Sequence, residues 1–430
     1  MLLEFRFGNF RSYRNAAALS FVASAGKEWQ ASNTFDSGQG AFPRLLRSGV
    51  LYGPNASGKT NLLLALQFVQ AFVAGSASST GPAASTPTAT KDQRILVPPF
   101  LFDKATRDKP SEFEVLFVEK GVRYQYGFVV DTERVQREWL IAYPQGRPQR
   151  WFSREYNPRS KQSTWEIGNK LKGDHHVWRN ATRPNALFLS TAIQLNSAQL
   201  QPVFHWFQQR LVVVVANSEF NIGLTYGLAG SLEGKNKLMK FVRAVDLGID
   251  DIAVSHHQLP AGIVPVSGIQ IMGRANGAGG PQIIRLQTMH KVVGAKELAS
   301  LELGDESAGT QKFLMSAGAL LRVLSEAQVL FVDELDTSFH PLMVQFLVRQ
   351  FHSDKTNKGN AQLFFTTHDT SLLDADLFRR DQVWFLEKDK TSSSHLYPLT
   401  EFSPRVDEAL GKGYLKGRYG ALPFIGELRI

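Results

Sequence analysis

Along the chain, apolar and polar positions switch between a period of two and a period near 3.6. Leu2 to Phe10 reads as a strand, Leu19 to Ser24 as a weaker one, and Arg47 to Tyr52 as a short, mostly apolar one. Asn61 to Val73 is almost continuously apolar, as suits a buried helix. Phe113 to Val130 has the pattern of a β-hairpin turning near Lys120-Gly121. From about residue 165 to 260 the pattern is mainly helical. Leu238, Phe241, Val242 and Val245 have helical spacing there, and Leu211 to Val215 is a short β-branched run. Near the C-terminus, Phe313, Leu314, Ala317, Leu320, Leu321 and Leu324 make one helix face. Val329 to Val332 reads as a fully buried parallel strand and Gln362 to Thr367 as another. Gly75 to Thr90 has the uncharged Ser/Thr/Ala/Pro/Gly composition of a flexible loop, and Ala261 to Pro281 is Gly-rich loop and hairpin. No heptad pattern is sustained and no internal repeat is visible.

Two of these strands lead into chemistry. After Tyr52 comes Gly53-Pro54-Asn55-Ala56-Ser57-Gly58-Lys59-Thr60, a G-x-x-x-x-G-K-[ST] sequence lying between a strand and a helix. There, glycines let backbone amides wrap phosphates and the helix N-terminus adds donors. Lys59 would reach the β- and γ-phosphates of ATP, and the Thr60 hydroxyl would hold Mg²⁺. The strand Val329 to Val332 delivers Asp333 and Glu334, suited to orienting Mg²⁺ and to positioning or deprotonating a water. The helix that begins near Glu306-Ser307-Ala308-Gly309-Thr310-Gln311 exposes amides and hydroxyls that suit an anion. The strand at Gln362 delivers His368, placed to sense a γ-phosphate.

Composition narrows the setting. The 430 residues contain no Cys, which excludes disulfides and thiolate metal sites, and 43% are hydrophobic, enough for a sizeable core. No signal-peptide core or membrane-length apolar run is present, so a soluble cytoplasmic protein is expected. The net charge of +9 favours an anionic partner. Arg134, Arg137, Arg147, Arg150, Arg154, Arg159 and Lys161, interleaved with Trp139, Trp151 and Tyr156, could track a nucleic-acid backbone or form a solvated strand face.

The nucleotide motifs resemble the ABC-type heads of RecF-like, SMC-like and OLD-family ATPases. Gly53–Thr60 is similar to their Walker A loop and Asp333-Glu334 to their Walker B. Ser307–Gln311 is similar to their signature, Leu335-Asp336 to their D-loop and His368 to their H-switch. Asn9-Phe10-Arg11-Ser12-Tyr13 resembles the RecF-like opening. Asn185–Ser190, Glu306–Thr310 and Gly417–Pro423 resemble segments of stand-alone ATPases from bacterial anti-phage and abortive-infection systems of the RloA and AbiL type. The signature departs from transporter heads at Ala308 and Thr310, and no Q-loop residue is assigned, Gln93 and Gln125 being candidates.

The resemblance implies an α/β head with mixed and parallel sheets and a mainly helical middle insertion, divided as 1–145, 146–299 and 300–430. It implies ATP and Mg²⁺ as ligands: Gly53, Asn55, Ser57, Gly58, Lys59, Thr60 and Asn61 on one side of the nucleotide, Ser307, Gly309 and Thr310 of another copy on the other, and Asp336 as a further nucleotide-binding residue. Thr60 and Asp333 would bind the metal, and Glu334 and His368 would be catalytic. The implied assembly is an ATP-sandwiched homodimer or higher oligomer. The stretch after His368 is too short for a Toprim nuclease. Asp374-Ala375-Asp376 reads as structural, in the helix just after His368, and His175-His176 and His256-His257 as loops. The expected role is therefore an ATP switch governing a separate effector such as a Toprim-like nuclease. A RecF-like DNA-maintenance clamp is the alternative, and a transporter subunit fits less well.

Overall fold

The computed structural model describes residues 1–78, 94–215, 220–258, 270–272, 282–373, 376–405 and 408–423. The expected loop over Gly75–Thr90, most of the Gly-rich stretch 261–281, Gln93, and Asp374 with Ala375 lie mainly outside them. In chain order the elements begin with β1 (Leu2–Gly8), β2 (Ala17–Ser20), α1 (Gln30–Asn33), β3 (Thr34–Asp36), β4 (Arg44–Leu46), β5 (Ser48–Tyr52) and α2 (Lys59–Gly75). Five long strands follow: β6 (Ser111–Glu119), β7 (Val122–Val130), β8 (Val135–Tyr143), β9 (Gln149–Asn157) and β10 (Gln162–Ile167). Then come α3 (His175–Ala181), α4 (Phe188–Gln194), α5 (Gln201–His205), β11 (Leu211–Val214), α6 (Ile222–Ala229) and α7 (Leu232–Arg243). The remainder is β12 (Asp251–Gln258), β13 (Gln270–Met272), β14 (Gln282–Lys291), β15 (Leu298–Glu302), α8 (Ala308–Ser325), β16 (Val329–Val332), α9 (Pro341–His352), β17 (Gln362–Thr366), β18 (Val383–Lys388), β19 (Ser394–Pro398) and α10 (Leu410–Leu415).

These elements group into two units. The first holds Met1–Ala216, Glu326–Leu335 and Val348–Ile430, and the second Asn217–Ser325 and Asp336–Leu347. In the first unit, a seven-stranded antiparallel sheet runs β10-β9-β8-β7-β6-β1-β2. The expected hairpin is β6–β7, turning at Lys120 and Gly121, both with positive φ. A six-stranded sheet in the order β11-β16-β17-β5-β18-β19 is parallel except for β19. Its inner strands β5, β16 and β17 are buried along their whole length, which explains their largely apolar character. The second unit carries α6, α7, α8 and the antiparallel sheet β12–β15, in which β14 pairs with all three others. Among the described residues, the interval 146–299 holds helices α3 to α7, β9 and β10 of the seven-stranded sheet, β11 of the parallel sheet, and β12 to β14 with the start of β15.

Part of the basic, aromatic stretch is paired within the sheet. Register sets Arg137 opposite Glu155 and Glu138 opposite Arg154. Arg150 lies 2.6 Å from Glu166, and Arg134 stacks over Tyr156. Trp151 is buried, and Trp139 donates its indole N–H to Glu114 with the Arg137 guanidinium 5.3 Å from its ring. Glu138 and Arg154 form a buried ion pair 3.0 Å apart. Glu138 also accepts from Tyr126 Oη (3.0 Å) and from the amides of Phe188 (2.7 Å) and Leu189 (3.1 Å). A strand carboxylate therefore satisfies orphan donors at the start of α4, which gives the Asn185–Ser190 segment its physical role. Ser190 Oγ then donates to the Val73 carbonyl near the end of α2.

Two local readings are corrected. His175 and His176 open α3, whose N-terminus is capped by Asp174 accepting from the Val177 amide. His256 and His257 lie in β12, paired with β14, because ladder bonding decides a conformation that the polar dipeptide does not signal. Among the described residues no cluster of three or more His, Asp or Glu side chains is placed to hold a metal ion, and no helix is long and apolar enough to cross a membrane.

Beneath β5, His352 is buried with Nε2 2.7 Å from Ser48 Oγ. Burial above all, then Arg47 and Arg349, lowers its pKa to about 3. The unfolded chain binds a proton below about pH 6.5 that the native chain refuses, so this stabilisation is present above 6.5 and lost as pH falls toward 3. Urea unfolding of wild type and His352→Gln should show the wild type losing about 1.4 kcal/mol more per pH unit between roughly pH 6 and 4. Parallel pH profiles would contradict this role for His352.

Candidate functional site

The loop 53–58 leaves β5 at the centre of the parallel sheet and opens α2. Gly58 has φ +110°, and a Cβ there would sit 2.4 and 2.5 Å from Ser394 Oγ and Ser12 Oγ, so only glycine fits. Those two serines form the rear wall of the loop. Ser394 Oγ donates to the Ser57 carbonyl (2.5 Å) and lies 2.8 Å from Ser12 Oγ, and Asn61 Nδ2 donates to Ser12 Oγ (2.8 Å). Tyr13, its phenol held protonated by burial, donates to the Gly58 carbonyl at 3.2 Å. The opening motif at Asn9–Tyr13 thus buttresses the loop.

Lys59 is buried, with Nζ donating to the carbonyls of Gly53 (2.7 Å) and Pro54 (3.2 Å). This bends the ammonium back over the loop it would close around a phosphate. Asn55 is exposed at the tip, and Ser57 Oγ is buried with no hydrogen-bond partner among the described residues.

Thr60 Oγ1 donates to Asp333 Oδ2 at 2.7 Å, joining the first turn of α2 to the end of β16. Thr366 Oγ1, at the end of β17, donates to Asp333 Oδ1 at 2.7 Å and accepts from the Glu334 amide at 2.7 Å. The β16–β17 register aligns Val332 with Phe365 and so brings Asp333 and Thr366 together. Glu334 has φ 49°, a left-handed conformation uncommon for a non-glycine residue, and its carboxylate lies 3.9 Å from His368 Nε2. Both side chains are part-exposed. The Tyr52 hydroxyl bonds the carbonyl of Asp369, fixing the backbone beside His368 to the strand that feeds the loop.

Ser307, Gly309, Thr310 and Asp336 belong to the second unit. Ser307 caps α8, its Oγ accepting from the Thr310 amide at 3.2 Å and lying 2.9 Å from Thr310 Oγ1. A Cβ on Gly309 would meet the Ser338 carbonyl at 2.8 Å, and Lys312 Nζ donates to the Thr337 carbonyl. The turn after Asp336 therefore packs on the start of α8. Gln125, a Q-loop candidate, spends its amide on Glu114 and Tyr143 within the antiparallel sheet.

The residues present fit a magnesium nucleotide. A buried carboxylate facing a threonine hydroxyl is a hard-oxygen donor set suited to Mg²⁺. The unpartnered Ser57 hydroxyl and the glycine-lined loop suit phosphate oxygens.

This arrangement is that of a P-loop nucleotide-binding site, and a family comparison places the chain among AAA-domain proteins. A family model described as "AAA domain, putative AbiEii toxin, Type IV TA system" matches residues 50–198 and 249–374, and the chain belongs to that family. The match spans the phosphate loop, Asp333-Glu334 and His368, and agrees with the likeness to abortive-infection ATPases drawn from the motifs. Among solved structures, the SMC head domain from Thermotoga maritima is similar at 13% identity and a TM-score of 0.39, over 92% of this chain and 98% of that one. An SmcHead bound to the C-winged helix domain of ScpA is similar at 12% identity and 0.41, over 92% and 97%. A search of curated proteins gives no match.

Thr366 was not legible in the sequence as a site residue. Its hydroxyl holds both Asp333 and the Glu334 backbone. Thr366→Val should weaken binding of ATP in the presence of Mg²⁺ by roughly 10- to 100-fold, while Thr366→Ser keeps it, as measured by calorimetry. Wild-type affinity in the valine variant would remove Thr366 from the site.

Proposed function

We propose that the chain is an ATP-hydrolysing switch of a bacterial anti-phage defence system that closes around ATP as a dimer or larger assembly and controls a separate effector. The observation that carries this reading is the convergence of Lys59, Thr60, Asp333, Glu334 and His368 around one loop, with Ser307, Gly309, Thr310 and Asp336 grouped at the start of another helix. The family description, with its toxin and type IV toxin–antitoxin terms, supports a defence setting.

In this reading Lys59 turns from the Gly53 carbonyl to the β- and γ-phosphates, and the loop amides with Ser57 hold the remaining oxygens. Asn55 and Asn61 line the same side. Thr60 and Asp333 would hold Mg²⁺, which when bound supplies neutralisation of phosphate charge. Glu334 accepts a proton as the water oxygen bonds to the γ-phosphorus and the bond to ADP breaks. His368, 3.9 Å from Glu334, orients the water and the γ-phosphate. The signature turn of a second copy completes the site, so ATP joins the subunits and hydrolysis releases them. A Toprim-like nuclease is the class of effector that this switch would govern.

The second reading, a DNA-maintenance ATPase, is favoured by one observation. Lys, Arg, Asp and Glu balance within the second unit, so the whole excess of +9 lies in the first. A surface of that charge suits a phosphate backbone.

Glu334→Gln keeps the shape of the site and removes the base. The variant should bind ATP, release little phosphate, and run as a dimer or larger species in light scattering with ATP but not with ADP. A variant that stays monomeric with ATP would sink the sandwich model. ATP-dependent DNA binding with no effect on phage infection would favour the second reading.

A further inference from the structure

The turn before α8 carries a polar cluster that the nucleotide chemistry described above does not use. Glu306 directly precedes Ser307, and its side chain is only 10% exposed. Its Oε1 accepts from Thr288 Oγ1 and lies 2.8 Å from His290 Nε2. Thr288 and His290 are two residues apart on β14, so they project from the same face of the strand. His290 Nδ1 in turn lies 3.0 Å from the Gly248 carbonyl. Each ring nitrogen thus has an oxygen within hydrogen-bond distance, which restricts the orientation of the imidazole.

The sheet is joined to the signature turn in a second way. β14 pairs with β15, with Gln287 opposite Glu302 and Thr288 opposite Leu301, and β15 runs directly toward Glu306. On the other side of the anchor, Gln311 Nε2 donates to the Glu306 carbonyl at 2.7 Å, and Ser307 Oγ receives the Thr310 amide. Glu306 is thus tied to β14 through its side chain and to the first turn of α8 through its carbonyl. A carboxylate held by two donors in a largely buried place is a stiff anchor, because releasing it would leave the charge unpaired.

We propose that His290 is a positioning residue for the signature turn: acting through Glu306, it fixes Ser307 and Thr310 in the orientation that completes the nucleotide site of a second copy. Through this link the sheet β12–β15 tunes the half-site that each chain lends to its neighbour, while capture of ATP by the chain's own phosphate loop is untouched. The inference rests on the shared-site reading given above.

The test uses subunit mixing with the full chain. His290→Ala should lower kcat for ATP hydrolysis by about 10-fold or more, while a fluorescent ATP analogue binds the single chain with unchanged affinity. His290→Gln, which keeps a donor toward Glu306, should recover part of the rate. Lys59→Ala lacks the phosphate-binding lysine and retains its signature turn. Mixed in equal amounts with His290→Ala, it forms mixed pairs with one intact composite site, and statistical pairing restores roughly a quarter of the wild-type rate. The same mixture made with Ser307→Ala serves as the reference. Recovery in both mixtures supports the proposal. Recovery with Ser307→Ala but not with His290→Ala, or a wild-type rate in His290→Ala alone, overturns it. Failure of both mixtures removes the shared site itself, and the proposal falls with it. If His290→Ala does not fold, Thr288→Val, which deletes the other donor to Glu306, takes its place under the same criteria.

Discussion

One carboxylate holds the nucleotide site together. Asp333 is almost fully buried, and each of its oxygens accepts a hydroxyl, one from Thr60 on α2 and one from Thr366 on β17. A buried charge is tolerated when hydrogen bonds replace its lost hydration, and leaving such a group unpaired costs several kcal/mol. The phosphate loop, the acidic strand end and the strand that delivers His368 are thereby locked into a single geometry. The same threonine that binds Asp333 takes the Glu334 amide, so the left-handed turn at Glu334 is stabilised by the group that fixes its neighbour.

Close packing behind the loop complements this junction. Ser394 and Tyr13 press hydroxyl groups against loop carbonyls from one side, Ser12 links Ser394 to Asn61, and Gly58 leaves them room. At the far end of α2, the buried pair of Glu138 and Arg154 organises α4, and Ser190 ties that helix back to Val73. The helix that would bear the phosphate is held at both ends, which limits how far the loop can move during a cycle of binding and release.

Much of this was readable from the chain alone, for identifiable reasons. The loop Gly53–Thr60 lies where a buried strand meets an apolar helix, and Asp333-Glu334 ends a run too apolar to face water; both signals are local. Thr366 and Ser394 were not readable as site residues, because a hydroxyl near a strand end is commonplace and acquires its role only through strand register. The stretch Arg134–Lys161 shows the same limit. In sequence it allows a nucleic-acid surface, whereas register pairs Arg137 with Glu155 and buries Arg154 against Glu138. The abortive-infection likeness was drawn from short segments, and the structure supplies a reason for one of them, since Asn185–Ser190 is the site where Glu138 caps α4. The anchor of Glu306 to His290 lies beyond local reading too, because β14 and the signature turn meet only through the folded sheet.

The most direct measurement is ATP affinity of wild type and Asp333→Asn, each determined calorimetrically with Mg²⁺ and with a chelator. Asparagine keeps the shape and the hydrogen bonding to one threonine but removes the negative charge that would face the metal. If Asp333 is the metal-facing centre of the site, the wild type binds ATP at least about 10-fold more tightly with Mg²⁺, and the variant binds equally with and without it. A variant that keeps the full Mg²⁺ dependence would contradict that assignment.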